Sequence, residues 1–271
     1  MYSESARPRA RTLVAGLAAL ILGGCSGDLP QLPAEEVPRA LSVSFLLQRG
    51  GAAPEGDLPA GRIYGFVGRV SDPNAPYLLP VFDASATLAG RPLQVRRTEG
   101  NEFYTGQDRP LEAEYNYFTD SVEVSAGTEY TLTVDQGGDR LIATTRVPGD
   151  FQLRAINGTV AGTTVPRGEP LTLTWGRSDG AALYSVNVFS RQQGVETGIS
   201  TRLPFFTADT VAALPLTSSA SSIPVTIEIR AMDPNLYRAS AHRDVQAGID
   251  GGYGFFGSVN VRRYNLTLTV R

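Results

Sequence analysis

The chain has 271 residues, 42% apolar and 19% charged, with a formal net charge of −3. That suffices for one large or two ordinary domains and gives no electrostatic case for nucleic-acid binding. All 24 basic residues are Arg, and there is one His, one Cys and one Trp. Lysine Schiff-base chemistry, Walker-type phosphate lysines, His-pair sites, Cys-rich zinc sites and disulfide frameworks are thereby excluded.

Arg7, Arg9 and Arg11 precede the apolar run Leu13 to Leu22. Ten helical residues rise only about 15 Å, too short for a bilayer core of about 30 Å. A short apolar run behind a basic start is a secretory signal pattern. It ends Leu22-Gly23-Gly24-Cys25, which resembles the lipobox of bacterial lipoproteins. The resemblance implies cleavage between Gly24 and Cys25 and lipidation of Cys25, with Ser26 resembling the outer-membrane-sorted form. A lone cysteine fits, since secreted chains usually pair or omit cysteines. Residues 1–24 are then the signal peptide, and losing them leaves 21 Arg against 26 acids, a net charge of −5. Residues 25–38, with three Pro and no apolar periodicity, read as a lipidated tether.

Strand signal dominates the rest. Leu41 to Phe45, Phe82 to Leu88, Tyr130 to Val134, Leu141 to Val147, Leu171 to Trp175, Tyr184 to Val188, Val225 to Ile229 and Leu266 to Val270 alternate apolar with polar. Such alternation marks strands with one face in a core. Asn235 to Val245, after Asp233-Pro234, predicts one short helix. Short strands separated by Gly, Pro and Asn turns predict an all-β chain of two tandem immunoglobulin/fibronectin-like sandwiches. The boundary is placed at Pro148-Gly149-Asp150, giving an N-terminal domain at 39–148 and a second at 149–271.

In the second domain, Trp175, Tyr184 and Ala231 stand where a fibronectin type III module carries an early-strand Trp, a Tyr on the next strand and an Ala late in strand F. The resemblance covers roughly residues 150–235. It departs at the tyrosine-corner position, which holds Val225. The lipobox, the AGTEYTLTV…ATTRVP hairpin and the GGYGFFGS segment together resemble bacterial lipoproteins of the domain-of-unknown-function 4249 family. That resemblance implies an accessory role in outer-membrane transport systems.

Candidate sites are few. His242 has no nucleophile elbow to serve, and Glu112 with Glu114 reads as solvated charge. Asp72-Pro73-Asn74 and Asp233-Pro234-Asn235 read as turn formers, not calcium loops. No metal or other cofactor is expected. Tyr115, Tyr117, Phe118, Tyr253, Phe255 and Phe256 lie in or beside predicted loops, as do Phe205 and Phe206. They either stack on a ligand or plug the sandwich ends or the interdomain seam. Gly251, Gly252 and Gly254 predict special dihedrals or close packing around the last aromatic group.

The expectation is an outer-membrane lipoprotein, lipid-anchored and facing the periplasm or the cell surface. It binds or scaffolds without catalysis, accessory to an envelope transport or assembly complex and without nucleic acid. The alternative is a carbohydrate- or peptide-capturing lipoprotein. A hydrolase whose acids meet only in the fold ranks below both.

Overall fold

The structure is a computed structural model that describes residues 40–50, 63–72, 75–96, 115–160, 162–190, 205–216, 220–241 and 246–271. Its strands, in chain order, are β1 (Leu41–Arg49), β2 (Ile63–Asp72), β3 (Ala75–Pro80), β4 (Ser85–Leu88), β5 (Arg91–Pro92), β6 (Gln94–Val95), β7 (Tyr117–Thr119), β8 (Glu129–Gln136), β9 (Asp139–Arg146) and β10 (Leu153–Ile156). There follow β11 (Thr159–Val160), β12 (Thr164–Val165), β13 (Leu171–Trp175), β14 (Leu183–Ser190), β15 (Phe205–Thr207), β16 (Val211–Leu214) and β17 (Ser222–Met232). The helix α1 (Pro234–Ala241) precedes β18 (Gln246–Ala247), β19 (Ile249–Asp250) and β20 (Gly252–Val270).

The first sandwich packs β1-β2-β7-β6 against β9-β8-β4-β5. In immunoglobulin order these are A-B-E-D facing G-F-C with one further edge strand. Leu41, Val43, Phe45, Leu132, Val134 and Leu141 fill its core. The alternation expected through Phe82 to Leu88 is strand only from Ser85. The chain crosses between sheets there, and Tyr117 Oη bonds both the N–H and the C=O of Ala84 at 3.1 Å in place of a neighbouring strand.

The second sandwich packs β10-β13-β16 against β15-β14-β17-β20, the A-B-E and C′-C-F-G arrangement. Trp175 and Tyr184 meet edge to face at 5.4 Å within its core. The chain is thus all-β with immunoglobulin/fibronectin-like sandwiches.

The tyrosine corner missing at Val225 occurs in the first sandwich. Tyr130, near the start of β8, donates to the Glu123 carbonyl at 2.7 Å and accepts from the Ser125 N–H at 2.8 Å. In the second sandwich Tyr264 on β20 accepts from the Leu153 N–H at 2.8 Å.

The C-terminal segment serves both sandwiches. β19 pairs with β9, the first half of β20 runs parallel to β1, and the second half pairs antiparallel with β17. At about 3.3 Å per residue, the 19 residues of β20 extend about 60 Å. The expected second domain, 149–271, includes residues 246–257. Within it Gly252–Gly257 pair with β1, which sets Phe256 in the first core, opposite Phe45.

Candidate functional site

Two regions carry polar or aromatic side chains in organised positions. The first is the seam between the sandwiches. Even-numbered residues of β20 face the cores: Phe256 the first, Leu268 and Val270 the second. Between them the row turns polar, with Ser258, Asn260 and Arg262. Ser258 Oγ donates to the Arg146 carbonyl at 3.0 Å. Asn260 donates to the carbonyls of Pro148 and Gly149 at 3.1 and 2.8 Å. Arg49 and Arg262 both pair with Asp150. The boundary read at residues 148–150 is therefore a clamped crossing.

Asp150 titrates under opposing influences. Partial burial pushes its carboxyl up, but hydrogen bonds from Arg49 and Asn260 and the charges of Arg262 and Arg49 outweigh that and hold it below the usual range. Asp233 shows the reverse balance. It caps α1, accepting from the Leu236 N–H at 2.9 Å, from the Ser258 N–H at 3.1 Å and from Thr145 Oγ1 at 2.6 Å. Burial dominates these bonds and pushes its carboxyl up. One carboxylate thus ties β9, β20 and the helix start together, more than the turn-forming role expected for Asp233-Pro234-Asn235.

The predicted aromatics divide. Tyr117 and Phe256 are fully buried and offer no ring to a ligand, because each points inward from its strand. Tyr115 and Phe118 are half-buried and flank Tyr64 of β2, with ring centroids 6.2 and 6.1 Å apart from it. Tyr253 and Phe255 occupy the odd row of β20 and are half-buried, and Phe255 packs against a small cluster of Met232, Leu236, Val259 and Val261. Gly257 lets the helix approach, since a Cβ there would lie 2.9 Å from that of Leu236. Gly24, Cys25, His242, Glu112 and Glu114 lie outside the described residues.

The second region is the outer face of β15-β14-β17-β20. Val186, Val188, Ile227 and Ile229 point into the core. Ser185, Asn187, Phe189, Glu228 and Arg230 therefore point outward. Phe206 joins them opposite Ser185, and Arg263 opposite Glu228. Phe189 and Phe206 are 36% and 45% exposed. Ser185 and Glu228 are each only 1% exposed although they face outward, so the accessible groups of this face include Phe206, Phe189, Arg230 and Arg263, and Arg230 Nε at 2.6 Å and Arg263 Nε at 2.5 Å hold Glu228. Of this face only Phe206 is among the aromatics marked by the sequence, although the pattern is there: in Val-Asn-Val-Phe and Ile-Glu-Ile-Arg the polar and aromatic residues fall out of phase with the core.

Among the described residues no three His, Cys, Asp or Glu side chains gather to hold a metal. Two open clefts of about 570 and 530 Å³ lie on the second sandwich, lined by residues around Asn157 and around Leu153, and neither includes a predicted binding aromatic.

No family model and no curated protein sequence matches the chain. Among solved structures it is similar to a crystal structure of titin domains at 11% identity and TM-score 0.23, covering 86% of this chain and 67% of that one. An I-band fragment of titin shows 12% identity and TM-score 0.22, covering 86% and 65%. The chain thus spans about two thirds of the length of each. The sandwich assignment rests on the strand order described above, not on these weak similarities.

Proposed function

We propose that the chain is a lipid-anchored, non-catalytic scaffold of the bacterial cell envelope. Lipid on Cys25 holds it in the outer membrane, residues 25–38 act as the tether, and the joined sandwiches present a binding face to an envelope transport or assembly complex. The resemblance to domain-of-unknown-function 4249 lipoproteins agrees with this role. The observation that carries it is β20, which pairs with β1 and with β17 and so joins the two domains through one continuous strand. A shared strand suits a scaffold, because it helps fix the orientation of what is presented. The Tyr64, Tyr115 and Phe118 cluster favours a second reading, capture of a carbohydrate or peptide.

Fractionation tests the anchor. Wild type is expected to partition with outer membranes and to take up radiolabelled palmitate, and Cys25→Ser to do neither. A variant that stays membrane-bound overturns the reading. Partner capture in intact envelopes requires a carboxylate-directed crosslinker, since the chain has no Lys.

A further inference from the structure

Building on the scaffold reading, we propose that the outer face of β15-β14-β17-β20 docks an extended, acidic segment of a protein partner. Its register would be apolar, acidic, apolar at alternate residues.

Three successive rungs set that register. The first carries Phe206, Ser185 and Arg230, the second Asn187, Glu228 and Arg263, and the third Phe189, Thr226 and Asn265. Alternate residues of an extended chain project to one side about 6.7 Å apart. A segment lying over β14 therefore meets Phe206 with one side chain and Phe189 with the third; the middle one meets Arg263 and the guanidinium of Arg230, which stems from the first rung and reaches across to Glu228.

Charge selects the middle side chain. Two Arg and one Glu leave the centre with one net positive charge, while the chain after Gly24 carries −5. Each guanidinium gives its Nε to Glu228, and neither makes another hydrogen bond among the described residues. The terminal nitrogens of both remain for a carboxylate, and their side chains are 24% and 39% exposed. Glu228 orders both before binding, which lowers the entropy cost of association. Arg and aromatic side chains are also the ones that dominate interface energetics. The two rings stand about 14 Å apart on the sheet grid, a spacing that suits a peptide better than adjacent sugar rings.

The test uses the full chain in detergent micelles and fluorescence anisotropy of a labelled pentapeptide, leucine-serine-glutamate-serine-leucine. Saturable binding is expected, weakened at least tenfold by Phe206→Ser, by Arg263→Gln, and by lysine in place of the peptide glutamate. Phe206→Ser changes only an exposed ring, so it retains its meaning if Arg263→Gln proves unstable. No binding, equal binding of the lysine peptide, or equal binding by Phe206→Ser overturns the proposal. Polygalacturonate binding in place of the peptide overturns it in favour of an acidic glycan. Membrane fractionation of the same wild-type preparation reports separately on the lipid anchor, and carboxylate-directed crosslinking in intact envelopes on the scaffold reading.

Discussion

Gly254 stands directly against Val43, its register partner on β1: a Cβ on Gly254 would lie 1.8 Å from the Val43 carbonyl oxygen. Gly254 also has φ +107°, where side chains are strained. Gly252 has a similar neighbour, the Leu41 carbonyl oxygen at 2.6 Å, and Gly251 meets that of Arg140 at 2.2 Å. The glycines let β19 and β20 close one edge of each sheet of the first sandwich.

Gly254→Ala is therefore expected to destabilise the protein by more than about 3 kcal/mol, combining backbone strain with a clash that only strand separation relieves. Gly90→Ala is the control. Gly90 has φ +74° but nothing within 4 Å of the added Cβ, so it loses about 1 kcal/mol. Denaturant midpoints measure both, and equal losses would show that close approach does not matter.

Tyr130→Phe removes the corner of the first sandwich. The Ser125 N–H and Glu123 carbonyl lose their shared partner while the ring stays packed. A loss of about 1–3 kcal/mol is expected. Val225→Tyr in the second sandwich, at the position where the fibronectin resemblance places a corner, gains nothing: Val225 is fully buried in the core, and a larger ring overpacks it. Thermal melts of the two variants check this contrast.

Strand positions were legible because burial on one face writes itself locally. Leu171 to Trp175 and Tyr130 to Val134 alternate in sequence and alternate in burial. The short helix was legible from Asp233-Pro234, a cap followed by a residue suited to the first turn. The pairing of β20 with β1 was not, because residues about 210 apart leave no local trace of their register. Phe256 therefore read as a loop aromatic although it is a core residue. The Arg230–Glu228–Arg263 group was hidden for a related reason: its members share a face only once β17 and β20 are aligned.

Asp233 and Asp150 couple stability to pH with opposite signs. Asp233 has a folded-state affinity for protons above that of the unfolded chain. Its ionisation thus costs stability as pH rises from about 3.8 through its folded value, and that cost persists above it. Asp150 is lowered, so its contribution is present above about 3.8 and disappears as pH falls through its folded value. Asp233→Asn keeps a capping side chain and removes one of the two. Wild type should gain stability relative to Asp233→Asn between pH 7 and pH 4. A difference in melting temperature that is the same at both pH values refutes the assignment.

The shared strand predicts how the molecule unfolds. Separate domains joined by a linker melt separately, but β20 contributes Phe256 to one core and Leu268 and Val270 to the other. Neither core can open without exposing part of a strand the other needs, and Asn260 and Arg262 hold the crossing between them. Leu132→Ala in the first core and Ile227→Ala in the second each remove buried volume worth about 2–5 kcal/mol. Both should shift one calorimetric transition, with calorimetric and van't Hoff enthalpies in agreement. Asn260→Ala, which fills neither core but frees the Pro148 and Gly149 carbonyls, should broaden that transition or split it. Two transitions in wild type, each moved by only one of the core variants, would mean that the sandwiches are energetically independent despite the strand they share.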